Sequence, residues 1–447
     1  MNNRNPIKTI AWLLVLLFIP LIGLIFYFFF GRDTRRLRYI NKRSLSQIQQ
    51  RSNLAYPAQA APVSSCEYKK MIDYFETVAE SRPMGCNDVE VITKGPEFID
   101  KLLCEIEAAQ KHIHLLFYIF EDDEAGNRLR DALIAKASAG VEVRLIYDSV
   151  GCWKVSPHFF EEIRKAGGYV APFLKVYFPI LTNKINYRNH RKIVVIDGKV
   201  GFIGGYNIAD RYITGGEWGH WRDTMLLLRG GAVYGLQVAF LSDWFFADRS
   251  LVSGASYFPP IEEQGEATVQ IVTSNPIGQW RTILNGMLMS LTNATEYIYM
   301  QSPYLMPNES VITAMQRAAL SGVDVRLMMP EKADGKIADY ASKSYYDELL
   351  DAGVKIYLYK KGFLHSKSLV SDDKLSVVGS ANIDFRSFEY NFEVNAYVYD
   401  KSLACRLKQL FLDDIKDCRL LTVKESHSRS FGRRLMESGA RLFSPLL

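Results

Sequence analysis

Two periodicities alternate along this chain, and the whole alternation occurs twice. Apolar, strand-like runs cover residues 112–120 and 297–305. Each leads into helical spacing, around 127–138 and 310–320, and then into a second strand pattern. These second strands read Ala139-Gly140-Val141-Glu142-Val143-Arg144-Leu145 and Ser321-Gly322-Val323-Asp324-Val325-Arg326-Leu327. Further helical patterns at 159–166 and 345–351 close on Ala166-Gly167-Gly168 and Ala352-Gly353. Strand, helix, strand, helix, strand in each half predicts parallel strands joined by helical crossovers. The expected fold is α/β: two lobes related by a pseudo-twofold axis, each a mixed sheet with flanking helices.

The duplication continues into polar residues. Asn189-His190-Arg191-Lys192 precedes the β-branched run 193–196 and the hairpin signal Asp197-Gly198. Leu364-His365-Ser366-Lys367 precedes a similar run and the turn Asp372-Asp373-Lys374. Both copies fit His-x-Lys-x4-Asp, and each is followed by a small-residue turn and an asparagine, Gly204-Gly205-Tyr206-Asn207 and Gly379-Ser380-Ala381-Asn382. On a strand, residues two apart share a face, so each His-Lys pair points one way and the residue between points away. Asp197 and Asp372 complete the motifs at the strand ends, where a structural job is expected.

Two His, two Lys and two Asn meet in one pocket only if the two lobes face each other. Those residue types suit a phosphodiester. A histidine that attacks phosphorus holds the group covalently and splits one hard displacement into two easier ones. A second imidazole, with an ordinary pKa of about 6.5, protonates the leaving oxygen and deprotonates the incoming one. Lys192, Lys367, Asn207 and Asn382 supply the fixed donors that phosphoryl oxygens need. The catalytic set is therefore His190, Lys192, Asp197, His365, Lys367 and Asp372, with Asn207 and Asn382 on the phosphate. Residue type leaves open which histidine attacks.

With Trp221-Arg222-Asp223-Thr224, the run Gly379 through Phe388, and Asn391-Phe392-Glu393, the chain resembles the phospholipase D superfamily, and within it the bacterial cardiolipin synthases. The resemblance covers nearly the whole chain, to its end at Arg441-Leu442-Phe443-Ser444-Pro445-Leu446-Leu447. It implies transfer of a phosphatidyl group between two phosphatidylglycerol molecules, releasing glycerol, with His190 as nucleophile and His365 as acid/base. It also implies a carboxylate that fixes the tautomer of each histidine, and the matching residues are Asp223 and Glu393. Two departures bear on the acceptor: Met225 stands where relatives commonly carry His, and Ala209-Asp210-Arg211-Tyr212 replaces a more acidic stretch. The alternatives are hydrolysis to phosphatidic acid by a membrane-bound phospholipase D, or a nuclease of the same superfamily.

Residues 10–30 carry no charge, and at about 1.5 Å per residue they are long enough for a bilayer core. A cleaved signal would have a shorter apolar region and small residues after it. One uncleaved transmembrane helix is expected. Arg32, Arg35, Arg36, Arg38, Lys42 and Arg43 follow it and only Arg4 and Lys8 precede it, so the catalytic part should face the cytoplasm at the inner membrane. The expected domains are an anchor and basic flank at 1–43, a linker at 44–90, lobes at 91–255 and 256–422, and a C-terminal tail at 423–447. That tail mixes Lys424, Arg429, Arg433, Arg434 and Arg441 with Phe431, Leu435, Leu442 and Phe443, an amphipathic pattern suited to headgroups or to packing on the lobe.

Composition narrows the partners. The net charge of +5 over 447 residues is mild, and much of it flanks the anchor. Phosphatidylglycerol and an anionic membrane are the expected partners, with no nucleic acid, since no basic-aromatic stripe appears. The six cysteines lack C-x-x-C or metal-ligand spacing. His112 and His114 alternate on a strand, but this mechanism requires neither metal nor cofactor.

Overall fold

The computed structural model describes residues 6–27, 67–175, 186–216 and 219–444. The basic flank 32–43, the linker residues 44–66 with Cys66, and the terminal Pro445-Leu446-Leu447 lie outside the described residues.

The first half contributes strands β1 (Met84–Ile92), β2 (His112–Phe117), β3 (Glu142–Asp148), β4 (Tyr169–Phe173), β5 (Ile193–Ile196), β6 (Val200–Gly204), β7 (His220–Arg222) and β8 (Met225–Arg229). The second contributes β9 (Ala267–Ser274), β10 (Tyr297–Gln301), β11 (Leu305–Met306), β12 (Asp324–Pro330), β13 (Lys355–Tyr359), β14 (Gly362–Leu364), β15 (Ser368–Ser371), β16 (Leu375–Gly379), β17 (Ile383–Asp384), β18 (Glu393–Tyr399) and β19 (Cys418–Leu421).

Fifteen of these strands form one sheet, in the order β19-β13-β12-β10-β15-β16-β18-β9-β1-β8-β6-β5-β2-β3-β4. Outward from the β9–β1 seam the halves read alike: β9-β18-β16-β15-β10-β12-β13 on one side, β1-β8-β6-β5-β2-β3-β4 on the other. This is the pseudo-twofold, and the sheet runs through it without a break. Within this sheet only β2–β3–β4 and β10–β12–β13 are parallel. The pairs between them and the seam are antiparallel, so helical crossovers account for the outer strands alone. Those crossovers are helices Glu124–Ser138 and Pro157–Lys165 in one lobe and Glu309–Leu320, Lys336–Lys343 and Tyr346–Leu350 in the other.

Helix Ala232–Asp248 lies under the seam. It is apolar on nearly every side, and it buries Leu236, Phe240 and Trp244 against strands of both lobes. At ~1.5–3 kcal/mol for each large apolar side chain removed from water, such shared burial binds the halves into one body.

The N-terminal run departs from the expected single span. Its helices are Pro6–Phe18 and Pro20–Phe26, broken at Ile19, whose backbone leaves the helical region at φ −135°, ψ 65°. The ring of Pro20 disfavours helical geometry in the residue before it. The rings of Trp12 and Tyr27 meet edge-on at 5.4 Å, so the second piece turns back on the first. Among the described residues no helix is long and apolar enough to cross a membrane.

At the other end, helix Phe431–Arg441 packs on Lys336–Lys343 through buried Glu437 and Ala440. Arg429 bonds to Glu437 at 2.6 Å. Phe431, Leu435, Leu442 and Phe443 remain exposed.

Candidate active site

Each His-x-Lys segment is stitched to the opposite lobe through its backbone. The His190 N–H donates to Phe392 O at 2.9 Å, and Phe392 N–H returns to Arg188 O at 2.8 Å. In the mirror position β14 pairs in parallel with β7, and His365 N–H donates to Arg222 O at 2.8 Å. Phe392 immediately precedes Glu393, and Arg222 immediately precedes Asp223. The backbone pairing therefore carries each carboxylate to the histidine of the other half.

His365 Nδ1 lies 2.5 Å from Asp223 Oδ2. His190 Nδ1 lies 3.1 Å from Glu393 Oε1 and 3.0 Å from Ser380 O. Spacing along the chain suggests pairing within a lobe, 190 with 223 and 365 with 393; the structure exchanges the partners. Both carboxylates are wholly buried. Each holds a proton on Nδ1 and leaves Nε2 as the reactive nitrogen.

The supports of the two carboxylates differ. Asp223 accepts from Thr224 N–H at 2.7 Å and sits tight against Gly205, where an added Cβ would meet Oδ1 at 2.0 Å. Glu393 accepts from Ser380 Oγ at 2.5 Å and from Asn391 Nδ2 at 3.0 Å. Ser380 occupies the repeat position of Gly205, so a hydroxyl stands in one lobe where the other keeps open space. That inequality between Gly-Gly-Tyr-Asn and Gly-Ser-Ala-Asn was the available signal for a role of Ser380.

His190, His365, Asn207 and Asn382 line one cavity of about 420 Å³, together with Tyr118, Arg188, Arg211, Tyr212, Tyr304 and Arg386 among others. The Tyr118 ring stands 5.0 Å from that of His190, and Trp221 stands 5.3 Å from His365. Asn207 Oδ1 accepts from Ile119 N–H at 3.1 Å, while its buried Nδ2 meets no acceptor in good hydrogen-bond geometry among the described residues. Asn382 donates one amide hydrogen to Asp384 at 2.9 Å, which leaves the other. Lys192 and Lys367 are buried, and each ammonium turns to the carbonyl of its own motif histidine, His190 at 2.6 Å in the first case.

Burial sets the electrostatics. It pulls the Lys192 ammonium down to about 7 and Lys367 to about 8, against the pull of Glu393 and Asp223 upward. It holds His190 below its ordinary value and His365 at about 3, with the lysines adding to the effect. For Asp223 and Glu393 burial pushes upward, but the neighbouring histidines and lysines outweigh it, and both stay ionised. A site with two buried ammoniums and two neutral imidazoles is built for an anion, whose arrival offsets the charge that lowers the histidines.

The intervening Arg191 points away from the cavity. Its guanidinium bonds to Asp243 at 2.7 Å, Ser274 O at 3.0 Å and Glu393 O at 3.1 Å, a clamp across the seam that the motif alone did not reveal. Its counterpart Ser366 is buried and bonds to Thr224 Oγ1 at 2.8 Å. Asp197 and Asp372 lie elsewhere. Asp197 accepts from the N–H groups of Gln110, Lys111 and His112, and Asp372 from those of Thr295, Glu296 and Tyr297. Each ties a β-hairpin turn to the start of a neighbouring strand.

His112 and His114 are buried together, their rings 4.7 Å apart, with Gln237 bonded to both. Among the described residues no group of three or more His, Cys, Asp or Glu could hold a metal ion. Of the acceptor-side departures, Arg211 lines the cavity and pairs with Glu121 at 2.8 Å, while Met225 is buried in the core.

A family model described as cardiolipin synthase, PLD-like domain matches residues 102–230 and again 287–415. A phospholipase D-nuclease N-terminal model matches residues 1–32. The cardiolipin synthase of Geobacillus kaustophilus is 42% identical over all of this chain and 90% of its own length. Cardiolipin synthase 2 of Bacillus anthracis is 41% identical over all of this chain and 88% of its own. The crystal structure of phosphatidylserine synthase from Haemophilus influenzae shares the fold, with a TM-score of 0.64 over 85% of this chain and all of that one, at 12% identity. With one domain model matched in both halves and relatives aligned end to end, the chain belongs to the cardiolipin synthase, PLD-like domain family.

Proposed function

We propose that the protein is a phosphatidyltransferase that makes cardiolipin and glycerol from two phosphatidylglycerol molecules. The observation that carries the reading is the pair of buried imidazoles in one cavity, each oriented through Nδ1 by a carboxylate of the opposite lobe.

His190 Nε2 attacks phosphorus of the first lipid. The bond from phosphorus to the glycerol headgroup oxygen breaks, and His365, which takes up a proton on Nε2 from solvent when the anionic lipid binds, supplies the proton that glycerol carries away. The phosphatidyl group rests on His190. The terminal hydroxyl of a second phosphatidylglycerol then gives its proton to His365 and its oxygen to phosphorus, and the phosphorus–nitrogen bond breaks. Lys192, Lys367, Asn207 and Asn382 hold the phosphoryl oxygens throughout. Glu393 and Asp223 stabilise the imidazolium forms, and Asp197 and Asp372 brace the strands that bear the motifs.

The substrate lives in a membrane, and two segments suit that setting. The uncharged N-terminal run with its basic flank fits an inner-membrane anchor that leaves the catalytic lobes on the cytoplasmic side. The exposed Phe431, Leu435, Leu442 and Phe443, interspersed with Arg433, Arg434 and Arg441, fit an anionic bilayer surface.

The test is to incubate purified protein with phosphatidylglycerol in detergent-lipid micelles, without added metal, and to resolve the lipids by mass spectrometry. Cardiolipin with released glycerol is the expected result. Phosphatidic acid alone would make the protein a phospholipase, and an unchanged lipid pool would redirect the search to other phosphodiesters, nucleic acid included.

A further inference from the structure

The transfer reaction needs a second anion site. The acceptor phosphatidylglycerol carries its own phosphate, one glycerol unit from the hydroxyl that attacks. On the reading above, Lys192, Lys367, Asn207 and Asn382 are the donors to the reacting phosphate. The acceptor phosphate must lie elsewhere in the same cavity, and that cavity is not electrostatically even.

Arg188 and Arg386 both line it. Arg188 precedes His190 by two residues and shares its face, and its side chain is 4% exposed. It lies 3.7 Å from Asp148 Oδ1, which also accepts from Val150 and Gly151 N–H groups at 2.9 Å each. Arg386 is steadied by a hydrogen bond to Asn186 O at 3.2 Å. Both guanidiniums act electrostatically on Tyr118, the ring that stands 5.0 Å from His190, and they act on each other. Arg211, the third arginine of the cavity, is bound through both Glu121 oxygens.

The remaining wall carries the opposite sign. Tyr304 donates to Asp334 at 2.7 Å, and Asp334 and Asp384 both line the cavity with Ala338. An acceptor phosphate turns toward guanidiniums and away from carboxylates, and the attraction is least screened at the buried Arg188. Guanidinium also matches phosphate geometry with two parallel donors.

A third group completes the picture. Asn391 lines the cavity, and its Nδ2 faces Glu393, which only accepts. Its buried Oδ1 therefore turns elsewhere, and among the described residues it has no hydrogen-bond partner. That atom suits a hydroxyl, and the glycerol linking the two phosphates of the product carries one.

We propose that Arg188 and Arg386, with Asn391 Oδ1, form the acceptor headgroup subsite: the arginines take the phosphate of the second phosphatidylglycerol, and Asn391 takes the secondary hydroxyl of its glycerol. The proposal rests on the transferase reading above, and it names what separates transfer to a lipid from hydrolysis. Water needs no such subsite.

The experiment compares two acceptors for one phosphatidyl-enzyme. Phosphatidylglycerol brings a phosphate; deuterated free glycerol does not, and its incorporation returns labelled phosphatidylglycerol. Unaltered protein, Arg386→Gln, Arg386→Lys and Asn391→Leu are assayed with both acceptors in mixed micelles by mass spectrometry. The readout is the ratio of cardiolipin formation to glycerol exchange, which cancels any loss of folded or competent enzyme. Arg386→Gln is expected to lower this ratio about tenfold or more, with phosphatidic acid rising as water competes, and Arg386→Lys to recover part of it. Asn391→Leu, which also loses a donor to Glu393, is expected to lower cardiolipin formation and glycerol exchange more than hydrolysis, since water presents no glycerol hydroxyl, and an equal fall in all three overturns the Asn391 assignment. An unchanged ratio in Arg386→Gln overturns the arginine assignment, whether both rates fall together or neither does. Failure of the transferase reading shows separately, as absence of cardiolipin from the unaltered protein, and takes this proposal with it.

Discussion

Asp223 follows His190 in the same lobe, yet its Oδ2 lies 2.5 Å from Nδ1 of His365, 142 residues along the chain. Glu393 reaches His190 in the same crossed sense, at 3.1 Å. Neither lobe holds a complete half-site, so an isolated lobe would lack an oriented histidine.

The crossed pairs make the two carboxylates equivalent in role and unequal in support. Asp223→Asn and Glu393→Gln are each expected to lower turnover about a hundredfold, within the range that positioned proton transfer contributes. His190→Ala and His365→Ala should abolish product. Cardiolipin formation measured by mass spectrometry checks both statements, and near-normal turnover in either alanine variant would refute the assignment.

Gly205 leaves the space that Asp223 occupies, since a Cβ there would stand 2.0 Å from Oδ1. Gly205→Ala should displace the carboxylate from His365 and reduce turnover to about the level of Asp223→Asn, by the same loss of proton-transfer geometry. Combining the two changes should then cost little beyond either alone. Independent, multiplicative losses would show that Gly205 acts through something other than Asp223.

Asp197 and Asp372 each gather three backbone N–H groups from a turn with φ of +54°, a region that aspartate tolerates. Removing the acceptor leaves the buried Tyr297 N–H at Asp372 short, at about 1–3 kcal/mol, and costs less at Asp197, where the Gln110 and Lys111 N–H groups are exposed to water. Asp197→Ala and Asp372→Ala should lower the thermal midpoint clearly and turnover per folded molecule only slightly. A large loss of turnover at an unchanged midpoint would contradict the bracing role.

Two pH responses follow from burial. The positive charge of the empty site falls as pH rises through about 7 for Lys192 and about 8 for Lys367, so affinity for inorganic vanadate should weaken between those values. Calorimetry reads this directly, and affinity that held steady or rose would be incompatible with it. Stability moves the other way. The folded His365 value, about 3, lies below the ordinary 6.5, so the unfolded chain binds more protons between them. The protein should lose stability as pH drops through that window. His365→Gln should flatten the loss in urea unfolding measured at successive pH values.

Much of this was legible in the residues themselves. The doubled His-x-Lys-x4-Asp with its asparagine tails required two facing lobes, because six such side chains serve one phosphate only when they converge. Period-two and period-3.6 patterns marked β2, β3, β10 and β12 and the helices between them, since burial of one face imposes those spacings. Asp197 and Asp372 were legible as turn residues for the same local reason. Three matters awaited the tertiary structure. Sequence distance suggested Asp223 for His190 and Glu393 for His365, and only the cross-lobe pairing of Phe392 with Arg188 and of β7 with β14 reversed that assignment. The join of two half-sheets into one of fifteen strands depends on long-range hydrogen bonds at β9–β1, which no local periodicity records. The gathering of Arg188, Arg386 and Asn391 around Tyr118 and His190 is likewise a product of chain segments that meet only when folded. Local patterning specifies which face of an element is buried; which partner covers that face is decided by packing of the whole chain.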